Sequence, residues 1–336
     1  LGCVHVKSAD NGGNAFNGNY NEFNNSRFVI SVGATDNKGV GWSRSSPGSN
    51  VRVNAPGVSV LTTHDLSFFE SGYATNSGSS FSSALVSGVA ALMLQANPGL
   101  SWRDVQYILM TTAEKNDPGN SGWAINGAGH DIHYRNGFGR VDAAAAVNAA
   151  ETWVNLPSEV IFESVLNEPA LAIPDDNMTG VSASIEVSAS INIEWVDIYF
   201  SSTDHLNWGD LEVTLTSPDG TESILSVQHN TSGTTDVFDN WRFGSARHLD
   251  ESSEGIWTLS VKDLKTGDTG TFESWKLIFY GTSQNDPPTG LTLSNSTLPE
   301  NNPAGALVGN LSTVDADVGD AFMYSLVSGD GSSDNG

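Results

Sequence analysis

The sequence predicts a multidomain chain. An α/β segment, a parallel sheet with flanking helices, comes first; an all-β sandwich or jelly roll follows, and a second, truncated all-β sandwich closes it. Three observations carry this reading. Small hydroxyl residues behind a glycine, Gly78-Ser79-Ser80, run straight into an apolar, alanine-rich stretch ending near Leu92. Helical spacing stops near Val154, and from there to about Ser283 short alternating stretches are separated by turn residues. The last region opens on Gln284-Asn285-Asp286-Pro287-Pro288, an extended proline linker. At 336 residues the chain exceeds what one core usually covers, so two or three domains are expected.

Within the first segment, Cys3-Val4-His5-Val6 reads as a buried strand, with the lone cysteine as a small core residue. The strand delivers Asp10-Asn11-Gly12-Gly13 into a glycine-permitted turn. Ser80 falls at a helix N-terminus, where unpaired backbone N–H groups and the dipole favour a developing negative charge. That setting suits an acyl-transfer nucleophile, although a helix-capping serine would look the same locally. Asn97 to Asp104 stops one helix and starts another, with Ser101 and Asp104 spaced as a capping box. Val105, Ile108 and Leu109 continue at helical spacing.

Strands are predicted over 191–200, 211–216, 255–261 and 274–281, with a turn at Ser217-Pro218-Asp219-Gly220. Trp195, Trp257 and Trp275 fall at strand positions and are expected in the core. Trp208 and Trp241 lie beside turns and are candidates to touch the first segment. His205, His229 and His248 have no metal-ligand spacing and read as surface or loop residues.

Taken together, Asn11-Gly12-Gly13, Gly78-Ser79-Ser80, the 97–106 stretch and Gly137 to Ala143 resemble the C-terminal half of a subtilisin-like catalytic domain. The likeness is to its kexin/furin, or proprotein convertase, branch and covers residues 1–153. The resemblance implies a serine endopeptidase with Ser80 as nucleophile and Asn11 in the oxyanion hole. Gly12, Gly78 and Asn21 would line the substrate site. Three departures stand out: Ser79 replaces a threonine, Ala84 a proline, and Asn21 the aspartate through which convertases choose basic residues. The family's Asp and His precede the oxyanion asparagine in chain order, and His5, His64, His130 and His133 lack the expected setting. The chain therefore reads as a fragment without its general base, inactive alone.

Residues 154–283 resemble the P domain that follows such catalytic domains, through Gly209-Asp210-Leu211, Asp239-Asn240-Trp241 and Gly255 to Leu259. Its implied role is to pack on and stabilise the catalytic domain. Residues 284–336 resemble the start of a cadherin-like repeat. There Glu300, Asp315, Asp317 and Asp286 are candidate Ca²⁺ ligands, being hard oxygen donors.

Charge excludes some classes. The formal net charge of −25, from 39 acidic and 14 basic residues, argues against nucleic-acid or anionic-membrane binding. No apolar run is expected to span a bilayer, and no signal peptide is visible. Abundant Asp, Asn, Gly, Ser and Thr with scarce Lys suit a secreted or cell-surface, calcium-dependent bacterial protein. Two functions follow: a protease acting on polypeptide substrates, or a calcium-dependent adhesion protein with an inactive protease-like domain that binds a cell surface or matrix. An upstream Asp-[Ser/Thr]-Gly and His-Gly-Thr would discriminate them.

Overall fold

Three parallel strands, β1 (His5–Ser8), β2 (Val29–Thr35) and β3 (Val51–Pro56), form the sheet of the first segment in the order β1-β2-β3. The computed structural model describes residues 3–65, 72–231, 237–284, 288–297, 301–303, 305–314 and 322–325. Strand β2 is buried at every position, as expected for a parallel strand covered on both faces. Strand β1 lies at the edge of this sheet, so its residues are half-buried or exposed and Cys3 is exposed. The expectation of a buried strand with a core cysteine is corrected accordingly.

A hairpin of β4 (Val60–Thr63) and β5 (Tyr73–Asn76) leads into α1 (Ser79–Ala96). On α1, Val86, Ala90 and Met93 recur at helical spacing and join Ile30, Val32 and Val53 in one buried cluster. This helix is long and apolar enough, by length and composition, to cross a bilayer, which corrects the expectation that no run was. One face of it, Val86, Ala90 and Met93, packs in the cluster, while Leu85 and Leu92 are half exposed.

Helix α2 (Trp102–Thr111) starts with the capping box read from the sequence: Asp104 N–H donates to Ser101 Oγ, and Ser101 N–H to Asp104 Oδ2 at 2.7 Å. Asp104 is fully buried, which raises its pKa. Hydrogen bonds from Ser101, Leu156 and Trp153 outweigh that cost and hold the carboxyl below its usual range. A short hairpin, β6 (Trp123–Ile125) and β7 (Asp131–His133), precedes α3 (Ala143–Glu151), capped by Asp142.

Strands β8 (Val160–Glu163), β9 (Leu171–Ile173), β10 (Val181–Val187), β11 (Ile191–Ser202), β12 (Leu211–Thr216) and β13 (Glu222–Ser226) follow. With β14 (Phe238–Ser245), β15 (Gly255–Asp263), β16 (Gly270–Phe272) and β17 (Ser274–Ser283), they build a sandwich. Its four-stranded sheets have the orders β10-β15-β12-β13 and β14-β11-β17-β8, with the pair β9-β16 beside them. Inward side chains alternate along β15 and β17, and Trp257 and Trp275 are fully buried between the sheets.

Trp195 is equally buried but belongs to the other cluster. With Ala246 and Leu249 it packs against the helices and sheet of the first segment. The two segments thus share a core and form one compact unit over residues 1–282. Polar contacts reinforce it: Arg103 Nε donates to Glu194 Oε2 at 2.8 Å, Tyr107 Oη to Asp250 Oδ2 at 2.8 Å, and Asn126 Nδ2 to Leu249 O at 2.8 Å. Arg52, fully buried, places its guanidinium 4.3 Å over the Trp195 ring. Trp208 and Trp241 make the expected contacts, the first edge-on to Tyr20 and the second donating to Asn19 O.

His205, His229 and His248 lie in loops and turns, one of the two expected settings, but the surface setting is corrected, since all three are buried. His205 pairs with Asp263, His248 sits between Ser223 and Glu251, and His229 stacks on Tyr20. His205 meets Asp263 58 residues away and His248 meets Ser223 25 residues away, although its second partner Glu251 lies only three residues on.

The second unit, 283–336, contains among its described residues an antiparallel ribbon of β18 (Gly290–Leu293) and β19 (Leu311–Val314). The candidate calcium ligands Asp286, Glu300, Asp315 and Asp317 lie outside the described residues.

Candidate active site

The chain from β1 and the start of α1 meet at one place. Asp10 adopts a left-handed backbone, φ 71°, at the end of the strand segment. Its carbonyl accepts from Ser79 Oγ at 3.0 Å. The next residue, Asn11, is held twice: its Oδ1 accepts from Ser79 N–H at 2.9 Å and from Ser79 Oγ at 2.9 Å. A backbone N–H can only donate, so the amide is oriented with oxygen toward the helix and Nδ2 turned away. Asn11 is exposed, and Nδ2 has no partner among the described residues.

Ser79 is buried while Ser80, one residue on, is exposed at the second position of α1. Ser80 Oγ has no partner among the described residues; its carbonyl accepts from Ser83 Oγ. The two serines are thus divided in use, one anchoring the asparagine and one facing outward.

The loop can approach so closely because of Gly57. A Cβ there would lie 2.3 Å from Ser82 Oγ and 2.8 Å from the Gly78 carbonyl, and Gly78 N–H donates to Gly57 O at 2.8 Å. The sequence reading missed both Gly57 and the holding role of Ser79. Gly78 is buried with an extended backbone, φ 168°, and space for a Cβ, so nothing in its conformation demands glycine. Gly12 N–H donates to Ser46 Oγ at 3.0 Å, which fixes the turn after Asn11.

Asn21 lies on the far side of Asp10. Its Nδ2 donates to Asp10 Oδ2 at 3.2 Å, alongside Asn24 Nδ2 at 2.9 Å, and Lys7 pairs with the same carboxylate at 3.3 Å. Asp10, Asn11, Asn21 and Ser79 are therefore one connected group. His130 pairs with Asp250 and His133 bonds to the 135–136 backbone, so both are committed elsewhere. Among the described residues no group of three His, Cys, Asp or Glu could hold a metal.

The start of α1 thus presents an exposed hydroxyl, Ser80, one residue after the serine that orients the Asn11 amide. Residues 2–139 match the subtilase family, and residues 193–279 match the proprotein convertase P-domain. The chain is similar to human proprotein convertase subtilisin/kexin type 6, 31% identical over 304 residues, covering 84% of this chain and 31% of that protein. It is similar to human proprotein convertase subtilisin/kexin type 4, 31% identical over 308 residues, covering 88% of this chain and 40% of the other. Protease KEX1 of Kluyveromyces lactis is 30% identical over 289 residues, covering 83% and 38%. A crystal structure of a serine protease of Aeromonas sobria shares the fold, with a TM-score of 0.75 at 24% identity, covering 83% of this chain and 65% of that one. These matches support the proprotein convertase branch of the subtilases. The chain spans between 31% and 40% of the length of the three curated relatives.

Proposed function

We propose that this chain is part of a serine endopeptidase in which Ser80 attacks a peptide carbonyl and Asn11 stabilises the oxyanion. What supports this reading is the hold of Ser79 on Asn11 Oδ1, which orients the amide and leaves its Nδ2 free to donate. Ser80 Oγ forms a bond to the carbonyl carbon and gives its proton to a base. The carbonyl oxygen gains negative charge against Asn11 Nδ2 and the helix N-terminus. Collapse breaks the C–N bond, the amine takes the proton, and water then hydrolyses the acyl-serine.

The reading requires a histidine and its carboxylate from residues outside these 336, because no histidine among the described residues partners Ser80. It also assigns a partner to the open face of α1. Leu85 and Leu92, one above the other at i and i+7, are 49% and 50% exposed on the side away from the core cluster. A fluorophosphonate is expected to label the full-length protein and to spare its Ser80→Ala variant. Labelling that survives the substitution, or no labelling of the unaltered protein, would overturn the assignment.

Calcium binding by the 283–336 unit is proposed on donor chemistry alone, from the carboxylates of Asp286, Glu300, Asp315 and Asp317. Chelation with EGTA is expected to lower the melting temperature of that unit's transition, and an unchanged transition would remove calcium from the account. A secreted or cell-surface setting belongs to the same proposal.

A further inference from the structure

Four Asn-Gly pairs lie among the described residues, at 11–12, 17–18, 126–127 and 136–137. In such a pair the glycine nitrogen can attack the asparagine side chain, because no Cβ hinders the ring that forms. Three of the four are shut away from water: Asn17, Asn126 and Asn136 are at most 4% exposed. Asn17 Nδ2 donates to Tyr134 Oη at 2.6 Å and Asn126 Nδ2 to Leu249 O at 2.8 Å, so two of these side-chain amides are also held at the nitrogen that would leave. Asn11 and Gly12 are both exposed, and Asn11 Nδ2 has no partner among the described residues.

The Asn11 amide is polarised as well as open. Its Oδ1 accepts from the N–H of Ser79, the first residue of α1, at 2.9 Å, and the Ser79 hydroxyl lies 2.9 Å away. Attack on Cγ places negative charge on Oδ1, where these donors and the helix N-terminus stabilise it. The contacts that orient the amide therefore also lower the barrier to its loss. Glycine is required at 12, since a Cβ there would lie 2.3 Å from Phe16 Cβ. The turn thus keeps the least hindered neighbour for ring closure.

We propose that Asn11-Gly12 is a site of spontaneous deamidation that limits the working life of the protein. Hydroxide takes the Gly12 amide proton, and the nitrogen bonds to Asn11 Cγ. The Cγ–Nδ2 bond then breaks; Nδ2 takes a proton from water and leaves as ammonia, which regenerates hydroxide. Water opens the resulting succinimide at either carbonyl, giving aspartate or isoaspartate at position 11. Either product replaces the amide donor by a carboxylate, so a developing oxyanion loses its donor and meets like charge. The loss of activity rests on the endopeptidase reading; the modification itself does not.

The test incubates full-length protein carrying Ser80→Ala, so that nothing is cleaved, in mildly alkaline buffer and follows each Asn-Gly pair by peptide mass spectrometry. Asn11 is expected to gain about one dalton while Asn17, Asn126 and Asn136 stay unchanged in the same sample. Isoaspartyl methyltransferase is expected to label the converted protein. Adding Ser79→Ala is expected to slow conversion at Asn11 about two- to tenfold, the effect of one lost hydrogen bond to the charged oxygen. No gain at Asn11, or equal gains at the buried pairs, would overturn the site. An unchanged or faster rate in Ser79→Ala would overturn the activation. With Ser80 intact, fluorophosphonate labelling is expected to fall in step with conversion, and Asn11→Asp to start at the low level. Conversion with undiminished labelling would keep the modification site and remove Asn11 from the oxyanion role.

Discussion

Replacing Asn11 by alanine is expected to lower kcat of the full-length protein by about 10²- to 10³-fold with little change in KM. That is the range for a subtilisin oxyanion asparagine, about 2.7–4 kcal/mol, carried over to Asn11. In the proposed role, orientation decides how effective the donor is. A free asparagine amide flips and swings, and a donor that must be oriented during the reaction stabilises the charge less. Here the two bonds from Ser79 to Asn11 Oδ1 fix the amide before any substrate arrives.

Ser79→Ala removes the single hydroxyl proton that Asn11 Oδ1 and the Asp10 carbonyl share, while leaving the backbone N–H in place. At about 0.5–1.5 kcal/mol per hydrogen bond, roughly a tenfold fall in kcat is expected, with KM unchanged. Ser79→Thr keeps the hydroxyl and is expected to retain activity. The decisive measurement is the double variant. If Ser79 acts through Asn11, adding Ser79→Ala to Asn11→Ala costs little further. Full additivity would show the two residues acting separately.

How much of this was legible in the sequence follows from the range over which each signal acts. The capping box of α2 involves residues three apart, so Ser101 and Asp104 announced it before any coordinates. Asn11 and Ser80 stood out in the sequence as motifs, each by its glycine neighbours, but the bonds that join Asn11 to Ser79 span 68 residues and left no local trace. Trp195 shows a subtler limit. Alternation along its strand says that the side chain is inside, and it is. Periodicity does not say inside what, and Trp195 serves the core of the other segment. The buried histidines fail for the converse reason. His205 and Asp263 are 58 residues apart, and a histidine in a turn-rich stretch resembles any solvated one until its partner is placed. Of the 19–25 loop the sequence singled out Asn21 alone, whereas Asn19 and Asn25 bond to the sandwich at Gly244 and Arg242.

Acid is expected to destabilise the first segment through His133, beginning below about pH 6.5. The side chain is 8% exposed and is built to be neutral. Nδ1 accepts from Arg135 N–H at 3.0 Å and Asn136 N–H at 3.2 Å, so it must keep its lone pair, and Nε2 faces Asn120 Oδ1 at 3.3 Å. Burial, with Arg247 and Arg135 adding like charge, lowers the pKa from 6.5 to about 4. Between those values the unfolded chain holds a proton that the folded chain lacks, so stability rises with pH through the window. It is complete above pH 6.5 and lost as pH falls, by about 3 kcal/mol at pH 4 and by about 1 kcal/mol between pH 7 and 5.5.

The upper part of that window separates His133 from the carboxylates of Asp104, Asp250 and Glu251. Their folded pKa values are also held low, but their stabilisation fades only at lower pH. His133→Asn keeps an acceptor for the two backbone donors and cannot titrate. It costs stability at every pH through the lost ring contact with Trp123, yet the slope between pH 7 and 5.5 is expected to flatten. Urea unfolding at the two pH values reads the difference directly. Parallel losses in the original protein and the variant would remove His133 as the cause. A flattened slope would show that the turn after β7, which Phe138 and Val141 join to β3 through Arg52 and Asn54, depends on one proton staying in solution.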